Sequence, residues 1–214
     1  MLIITSRSAF GAAFASYHSN HYGPVGITSP AEIAHGPHAD IVVFDAVNIP
    51  AAFARLAELS AVYPDARLVM LVSRPCDLVL QLARRHGVDA VISEADDVTA
   101  WHDVLSRIHQ ATFLSGPSFR DAPAFATLLT ARQVDVYLLA ARGLSDEEAA
   151  EELGISVATF ETHRRDAQIK LGCGGHRELV AHAIRHGIED ASEVPLLPPL
   201  RRATRLHCAT ALME

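Results

Sequence analysis

The chain has 214 residues, of which 50% are hydrophobic, and a formal net charge of −7. This length and apolar content suit one large or two small globular domains. Apolar runs stay well short of the roughly 18 to 20 residues that a membrane span needs, and no basic leader precedes a long apolar stretch. We therefore expect a soluble, unexported protein of the cytoplasm that has no membrane partner. Its three cysteines fit neither a disulfide framework nor a zinc knuckle, which favours reduced thiols.

Residues 1–111 alternate short Val- and Ile-rich runs with helical patterns. The runs predict buried strands at 2–4, 25–28, 41–44, 68–72 and 90–92. The helical patterns fall at 9–17, 49–59, 77–86 and 98–109, and the connection near 30–34 is short. Five such units predict a flavodoxin-like, doubly wound parallel five-stranded sheet whose functional edge lies at the carboxyl ends of the strands.

Residues 112–128 contain two prolines and a glycine between periodic segments, which is typical of an interdomain linker. Three phenylalanines in it are candidates to pack the linker against one domain: Phe113, Phe119 and Phe125.

The segment from 129 to 188 predicts a small all-α domain. Thr130 with Gln133, and Ser145 with Glu148, have the spacing of capping boxes that begin two helices. A tight turn follows the second helix, and Ser156 is placed to cap a third. Two short helices joined by such a turn indicate a helix-turn-helix, whose second helix enters the DNA major groove.

The spacing of polar and apolar residues in this segment resembles the LuxR-type (NarL/FixJ-like) DNA-binding domain. The matched positions are Leu129, Thr130, Arg132, Val136, Gly143, Leu144, Ser145, Glu148, Ala150, Leu153, Ile155, Ser156, Thr159, His163, Lys170 and Leu171. The alternative is an unrelated helical bundle, which needs apolar periodicity but not this glycine, these caps or this turn. The resemblance implies a sequence-specific transcription regulator whose partner is double-stranded DNA.

On the third helix, Phe160, Ala167 and Leu171 recur at core spacing. The candidate DNA-contacting residues are Thr159, Glu161, Thr162, Arg164, Arg165, Gln168 and Lys170. Glu161 departs from the family, in which a lysine commonly contacts DNA there, and Ile169 is apolar where a polar residue is usual. One helical turn separates Glu161 from Arg165, so an ion pair between them is possible in the free protein.

Charge within this domain is unfavourable for DNA binding overall. Residues 129–188 contain seven Arg or Lys and nine Asp or Glu, a balance of −2, and five of the acids lie at 146–152 on the second helix. Since DNA affinity depends on neutralising phosphates, the useful basic charge must be local.

The order of elements in residues 1–111, joined to a LuxR-type domain, resembles a response-regulator receiver with altered chemistry. Asp45 matches the phosphoacceptor position, but Thr5 and Ser6 stand where receivers carry acidic metal ligands. The hydroxyl position aligns best with Val72, with Ser73 one residue away, the lysine position holds Glu94, and the aromatic switch position matches Val91. Magnesium prefers carboxylate ligands, and phosphoryl transfer needs positive charge. We therefore interpret Asp45 as a structural strand-end residue that caps or bonds a nearby amide, in an atypical receiver that does not depend on phosphorylation. The alternative is a residual phosphoacceptor role for Asp45.

Metal binding and catalysis find little support. His182 and His186 lie one helical turn apart near His176 and Cys173, but solvated surface histidines are the favoured interpretation. No metalloprotease, nucleophile-elbow, phosphate-loop or CxxC motif is present, so we expect neither enzyme activity nor a cofactor or metal. The tail, 189–214, contains helix-breaking prolines and is either one short amphipathic turn or a frayed terminus.

These features favour a homodimeric transcription regulator. Two stripes could serve pairing: residues 77–92, which match the face commonly used by receivers, and Leu179, Val180, Ala183 and Ile184. The alternative for each stripe is the core of its own domain. A regulatory protein could bind the receiver-like face. The alternative function is a protein-interaction adaptor whose acidic helix-turn-helix domain has lost DNA binding.

Overall fold

The computed structural model describes residues 1–33, 38–46 and 49–189. Its sheet contains β1 (Leu2–Ile4), β2 (Gly26–Thr28), β3 (Ile41–Ala46), β4 (Arg67–Val72), β5 (Ala90–Ser93) and β6 (Leu114–Ser115). The spatial order is β2-β1-β3-β4-β5-β6, and every neighbouring pair is parallel. The doubly wound prediction is confirmed, except that the sheet has six strands rather than five.

Helices cover both faces of the sheet: α1 (Ser8–Tyr22), α2 (Ile49–Ala54), α3 (Leu56–Val62), α4 (Asp77–Arg85) and α5 (Val98–Arg107). One apolar cluster joins one strand face to α2, α3 and α4, and a second joins the other face to α1 and α5. The single helix predicted at 49–59 is two helices separated at Arg55. The connection predicted near 30–34 lies partly outside the described residues.

The sixth strand comes from the segment predicted as a linker. Leu114 N–H donates to Asp89 O at 3.0 Å, and Gly116 N–H donates to Val91 O at 2.9 Å. The buried Asp96 carboxylate accepts from the amides of Ser93 and Ser118 at 3.0 and 2.7 Å, which holds this segment against β5. A two-residue strand is too short to show alternation, so the sequence pattern could not reveal it.

The C-terminal part contains α6 (Ala131–Ala141), α7 (Asp146–Leu153), α8 (Val157–Leu171) and α9 (His176–Arg185). Both predicted capping boxes form, Ser156 caps α8, and Gly154 makes the turn between α7 and α8 in the left-handed region at φ 64°. Within the described ranges, no helix has the length and apolar character to cross a membrane. The tail prediction for 189–214 lies, beyond Glu189, outside the described residues.

The two parts of the chain share one apolar core. Asp77, at the start of α4, accepts from the amides of Phe125, Ala126 and Thr127 at 2.9, 2.9 and 3.2 Å. Phe119 and Phe125 are each 7% exposed and belong to the cluster that also contains α6 residues. An ion pair of 3.3 Å between Arg85 and Asp135 joins α4 to α6. The face of α4 suggested for dimerisation is therefore partly covered by the chain itself.

Candidate functional site

Helix α8 is held by an apolar anchor and leaves one face open. Phe160 and Ala167 are fully buried and belong to the core shared with α6 and α9. The opposite side, with Thr159, Glu161, Thr162 and Arg165, is exposed to solvent. The hydrogen bonds and ion pair that join the receiver-like domain to the rest of the chain involve the linker segment, Asp135 of α6, and Arg185 and Ile188 at the end of α9. None of them involves α8, so its exposed face stays open.

The exposed hydroxyls on α8 are positioned by local bonds. The Thr159 and Ser156 hydroxyls are 2.8 Å apart, and the Thr162 hydroxyl donates to Ala158 O at 2.8 Å. Arg165 has no ion-pair partner within the part of the chain that the structure describes, so the possible pair with Glu161 is not formed. Its guanidinium is free to bind an anion or a base edge.

Two of the predicted DNA-contacting residues are bonded within the domain, and a third is half-buried. Arg164 pairs with Asp146 at 2.8 Å, and Lys170 Nζ donates to Gln133 Oε1 at 2.8 Å. Gln168, the third of these candidates, is half-buried, and its side-chain nitrogen has no hydrogen-bond partner among the described residues. Positions 160, 164, 167, 168 and 171 recur at helical spacing, which turns Arg164 and Gln168 toward the buried side. DNA would have to displace Asp146 or Gln133 to recruit Arg164 or Lys170.

The strand ends of the receiver-like domain form a charged cluster that we call the Asp45 site: Thr5, Arg7, Asp45, Ser73 and Glu94. Arg7 Nε and Nη2 donate to the two Asp45 carboxylate oxygens at 2.6 and 2.7 Å. The Thr5 hydroxyl also donates to Asp45, at 2.8 Å, and the Asp45 side chain is only 2% exposed. This fork geometry is the strongest arrangement of an arginine–carboxylate pair.

Glu94 completes the Asp45 site from the end of β5. Its carboxylate accepts from Arg7 Nη1 at 2.6 Å and from the Ser73 hydroxyl at 3.1 Å, so Ser73 and not the buried Val72 faces the site. Burial acts to lower the pKa of Arg7, but the hydrogen bonds and charges of Asp45 and Glu94 outweigh it and raise that pKa. Arg7 is therefore a permanent internal cation between the two acids.

Among the described residues, the carboxylate of Asp45 is held by the side chains of Thr5 and Arg7 and not by the amide that we predicted. Sequence reasoning noted the missing acidic pair and lysine but missed Arg7, which supplies positive charge from a different strand end. The position of Arg7 in the sequence could have indicated this contact. Arg7 follows Thr5 by two residues at the carboxyl end of β1, and β1 lies beside β3, which ends near Asp45. Because Arg7 binds both oxygens of Asp45, neither is free for a metal ion or a phosphoryl group.

The predicted surface histidines include one that is buried. His182 is 9% exposed, with its Nδ1 3.0 Å from the Tyr137 hydroxyl and its ring 4.8 Å from that of Phe125. Burial, followed by the charges of His186 and Arg185, lowers the pKa of His182 to about 4. The solvated interpretation is wrong for His182, because the linker segment packs over it.

The C-terminal part of the chain is similar in sequence to known bacterial regulatory proteins. Residues 127–183 match the profile of bacterial regulatory proteins of the luxR family. The chain is 44% identical over 75 residues to the quorum sensing-dependent transcriptional regulator VjbR of Brucella ovis, covering 35% of this chain and 29% of that protein. It is 32% identical over 136 residues to the transcriptional regulatory protein MctR of Rhizobium johnstonii, covering 58% and 61%.

The fold is similar to that of RcsB from Salmonella enterica serovar Typhimurium, solved bound to a promoter. The TM-score is 0.55 at 13% sequence identity, and the match covers 85% of this chain and 96% of RcsB. The chain thus spans less than a third of VjbR and about three fifths of MctR, whereas the likeness to RcsB extends over both of its parts. Residues 127–183 therefore match the luxR family of bacterial regulatory proteins, and the fold of the whole chain is similar to that of RcsB.

Proposed function

We propose that the chain is a sequence-specific DNA-binding transcription regulator whose receiver-like domain works without aspartyl phosphorylation. The observation that carries the proposal is the open face of α8, where Arg165 is exposed, lies one helical turn from Thr162 and has no ion-pair partner among the described residues. The match of residues 127–183 to the luxR family supports it. A cytoplasmic location, as predicted from the sequence, fits this role.

The Asp45 site supports the second half of the proposal. In a receiver that accepts phosphate, a metal ion and a lysine neutralise charge on the transferred group. Here Arg7 already occupies the carboxylate, and Glu94 adds negative charge where the lysine would stand. We propose that a regulatory protein that binds the receiver-like face supplies the signal in place of phosphate.

We expect the chain to bind DNA as a homodimer, since two-fold proteins match palindromic operators. RcsB has been solved as two dimers bound to two parallel DNAs. In this chain, Leu179 and Ala183 of the α9 stripe are fully buried in the domain core, while Val180 and Ile184 are half-buried. Any pairing through α9 would therefore use Val180 and Ile184.

Arg165→Ala is expected to weaken DNA binding in a gel shift with an operator selected from random duplexes. If Arg165 contacts a guanine, the loss is about 1–3 kcal/mol on the operator, with relaxed preference at one base pair. If it contacts only phosphate, operator and random DNA weaken together and the salt slope falls by about one. Glu161→Lys is expected to strengthen binding to random DNA in either case.

The same assay contains its controls. Arg177→Ala removes an exposed arginine at the start of α9 and is expected to leave operator preference unchanged. Splitting the operator into one half-site should cost most of the affinity if the bound species is a dimer. Unchanged affinity in both α8 variants, or no selected DNA at all, would contradict the proposal and favour the adaptor function.

Incubation with acetyl phosphate and Mg²⁺ is expected to add no phosphate to the protein. Arg7 holds both Asp45 oxygens, and Thr5 supplies a hydroxyl rather than a carboxylate near them. Intact-mass measurement checks this result. A stable mass increase of one phosphate that disappears in Asp45→Asn would contradict the phosphorylation-independent mechanism while leaving DNA binding untouched.

A further inference from the structure

Helix α8 presents an apolar side chain to water. Ile169 is 71% exposed, the largest fraction among the exposed large hydrophobic residues of the described chain. Single exposed apolar residues are common on protein surfaces and need no partner by themselves. Ile169 differs from the other exposed apolar residues because it lies on the open face of α8.

Ile169 continues the open face of α8. Thr162, Arg165, Asp166 and Ile169 have the spacing i, i+3, i+4, i+7, so they form one stripe along the helix, and all four are exposed. Recognition helices of homeodomains read the major groove with residues at this same spacing. The residues on either side of Ile169 in the sequence do not belong to this stripe: Gln168 is half-buried, and Lys170 bonds Gln133.

An aliphatic side chain can recognise only one group in the major groove. Thymine carries a C5-methyl group there, while the other base edges present hydrogen-bond donors and acceptors that isoleucine cannot satisfy. We propose that Ile169 packs against the C5-methyl group of a thymine and so determines specificity at that base pair. This inference rests on the proposed DNA-binding function of α8.

The helix geometry fixes where that thymine should lie. Ile169 is four residues beyond Arg165, which is about 6 Å along the helix axis. One base-pair step is roughly 3.4 Å. The thymine is therefore expected within about two base pairs of the position read by Arg165, on the side toward the C-terminus of α8.

The test uses the full chain and operators in which thymines are replaced by deoxyuridine, one position at a time. This change removes only the methyl group. Wild-type protein is expected to lose about fourfold in affinity at one thymine per half-site, the effect of one buried methyl group. Ile169→Ala should bind the thymine and uracil operators equally, and Ile169→Val should keep most of the discrimination.

Leu128→Ala is the matched control, because Leu128 is 51% exposed but lies before α6 and away from the stripe. It should show the wild-type pattern of uracil sensitivity. Equal binding of wild type to every uracil operator, or the same fourfold loss in Ile169→Ala, would overturn the inference while the DNA-binding function stands. If selection yields no operator, the proposed function fails and this inference fails with it.

Discussion

Arg7→Met is expected to lower the free energy of unfolding by about 2–3 kcal/mol, because it leaves the Asp45 carboxylate buried without its countercharge. The Asp45 side chain is 2% exposed, and Arg7 provides two of the three side-chain bonds to it. Arg7 itself is 32% exposed, so solvent screening places the loss toward the low end for a broken buried pair. Urea denaturation at neutral pH measures the effect as a shift in midpoint at constant slope.

Two further variants identify the cause. Asp45→Asn in the Arg7→Met background should recover part of the loss, since a neutral amide needs no countercharge. Arg67→Met breaks another ion pair of 2.6 Å, but Arg67 and Asp89 are 39% and 16% exposed, so its loss should stay near or below about 1 kcal/mol. Equal losses in the two arginine variants would refute the role of burial at Asp45.

Features that depend on residues close together in the sequence were predictable. Thr130 with Gln133 and Ser145 with Glu148 form the expected capping boxes, because a helix start depends on residues only three positions apart. The doubly wound parallel sheet was predictable because alternating strands and helices leave few right-handed topologies. Phe160 and Ala167 were correctly assigned to the core of the helix-turn-helix, since helical periodicity fixes the buried face.

Features that depend on contacts between residues far apart in the sequence were not predictable. Arg7 and Asp45 are 38 positions apart, and only the parallel pairing of β1 with β3 brings them together. His182 is buried because Phe125 packs on it, a contact that periodicity within α9 cannot indicate. Arg164 bonds Asp146 of α7, and Lys170 bonds Gln133 of α6. From the sequence we therefore counted too many basic residues of α8 as available to DNA.

The β4–α4 segment connects the Asp45 site to the helix-turn-helix part of the chain. Ser73 donates to Glu94, and the next residue, Arg74, donates through Nη1 to Arg185 O at the end of α9, at 2.6 Å. Asp77, three residues later, binds three amides of the linker segment. A change in the Asp45 site therefore has a short covalent and hydrogen-bonded route to α9.

Acidification from pH 7 to pH 4 is expected to destabilise the protein through two buried histidines. His18 is fully buried, both of its ring nitrogens lack a hydrogen-bond partner in the described residues, and its ring lies 4.4 Å from Phe14. Burial, then the charges of His102 and His21, lower the pKa of His18 to about 4, as burial does for His182.

The sign follows from which state binds more protons. The unfolded chain protonates each histidine near its ordinary pKa of 6.5, whereas the folded chain does so only near 4. The contribution of the two neutral histidine rings to the free energy of unfolding is fully present above pH 6.5. It decreases as the pH falls from 6.5 to about 4. Each histidine contributes a slope approaching about 1.4 kcal/mol per pH unit, or about 3 kcal/mol over the window.

Urea denaturation at half-unit pH intervals measures this slope. His18→Phe fits the surrounding aromatic rings and should remove about half of it, and His182→Phe should remove the remainder at the expense of the bond to Tyr137. His109→Gln changes an exposed histidine and should leave the slope intact. An unaltered slope in the His18→Phe, His182→Phe double variant would contradict this prediction and assign acid unfolding to other titratable groups.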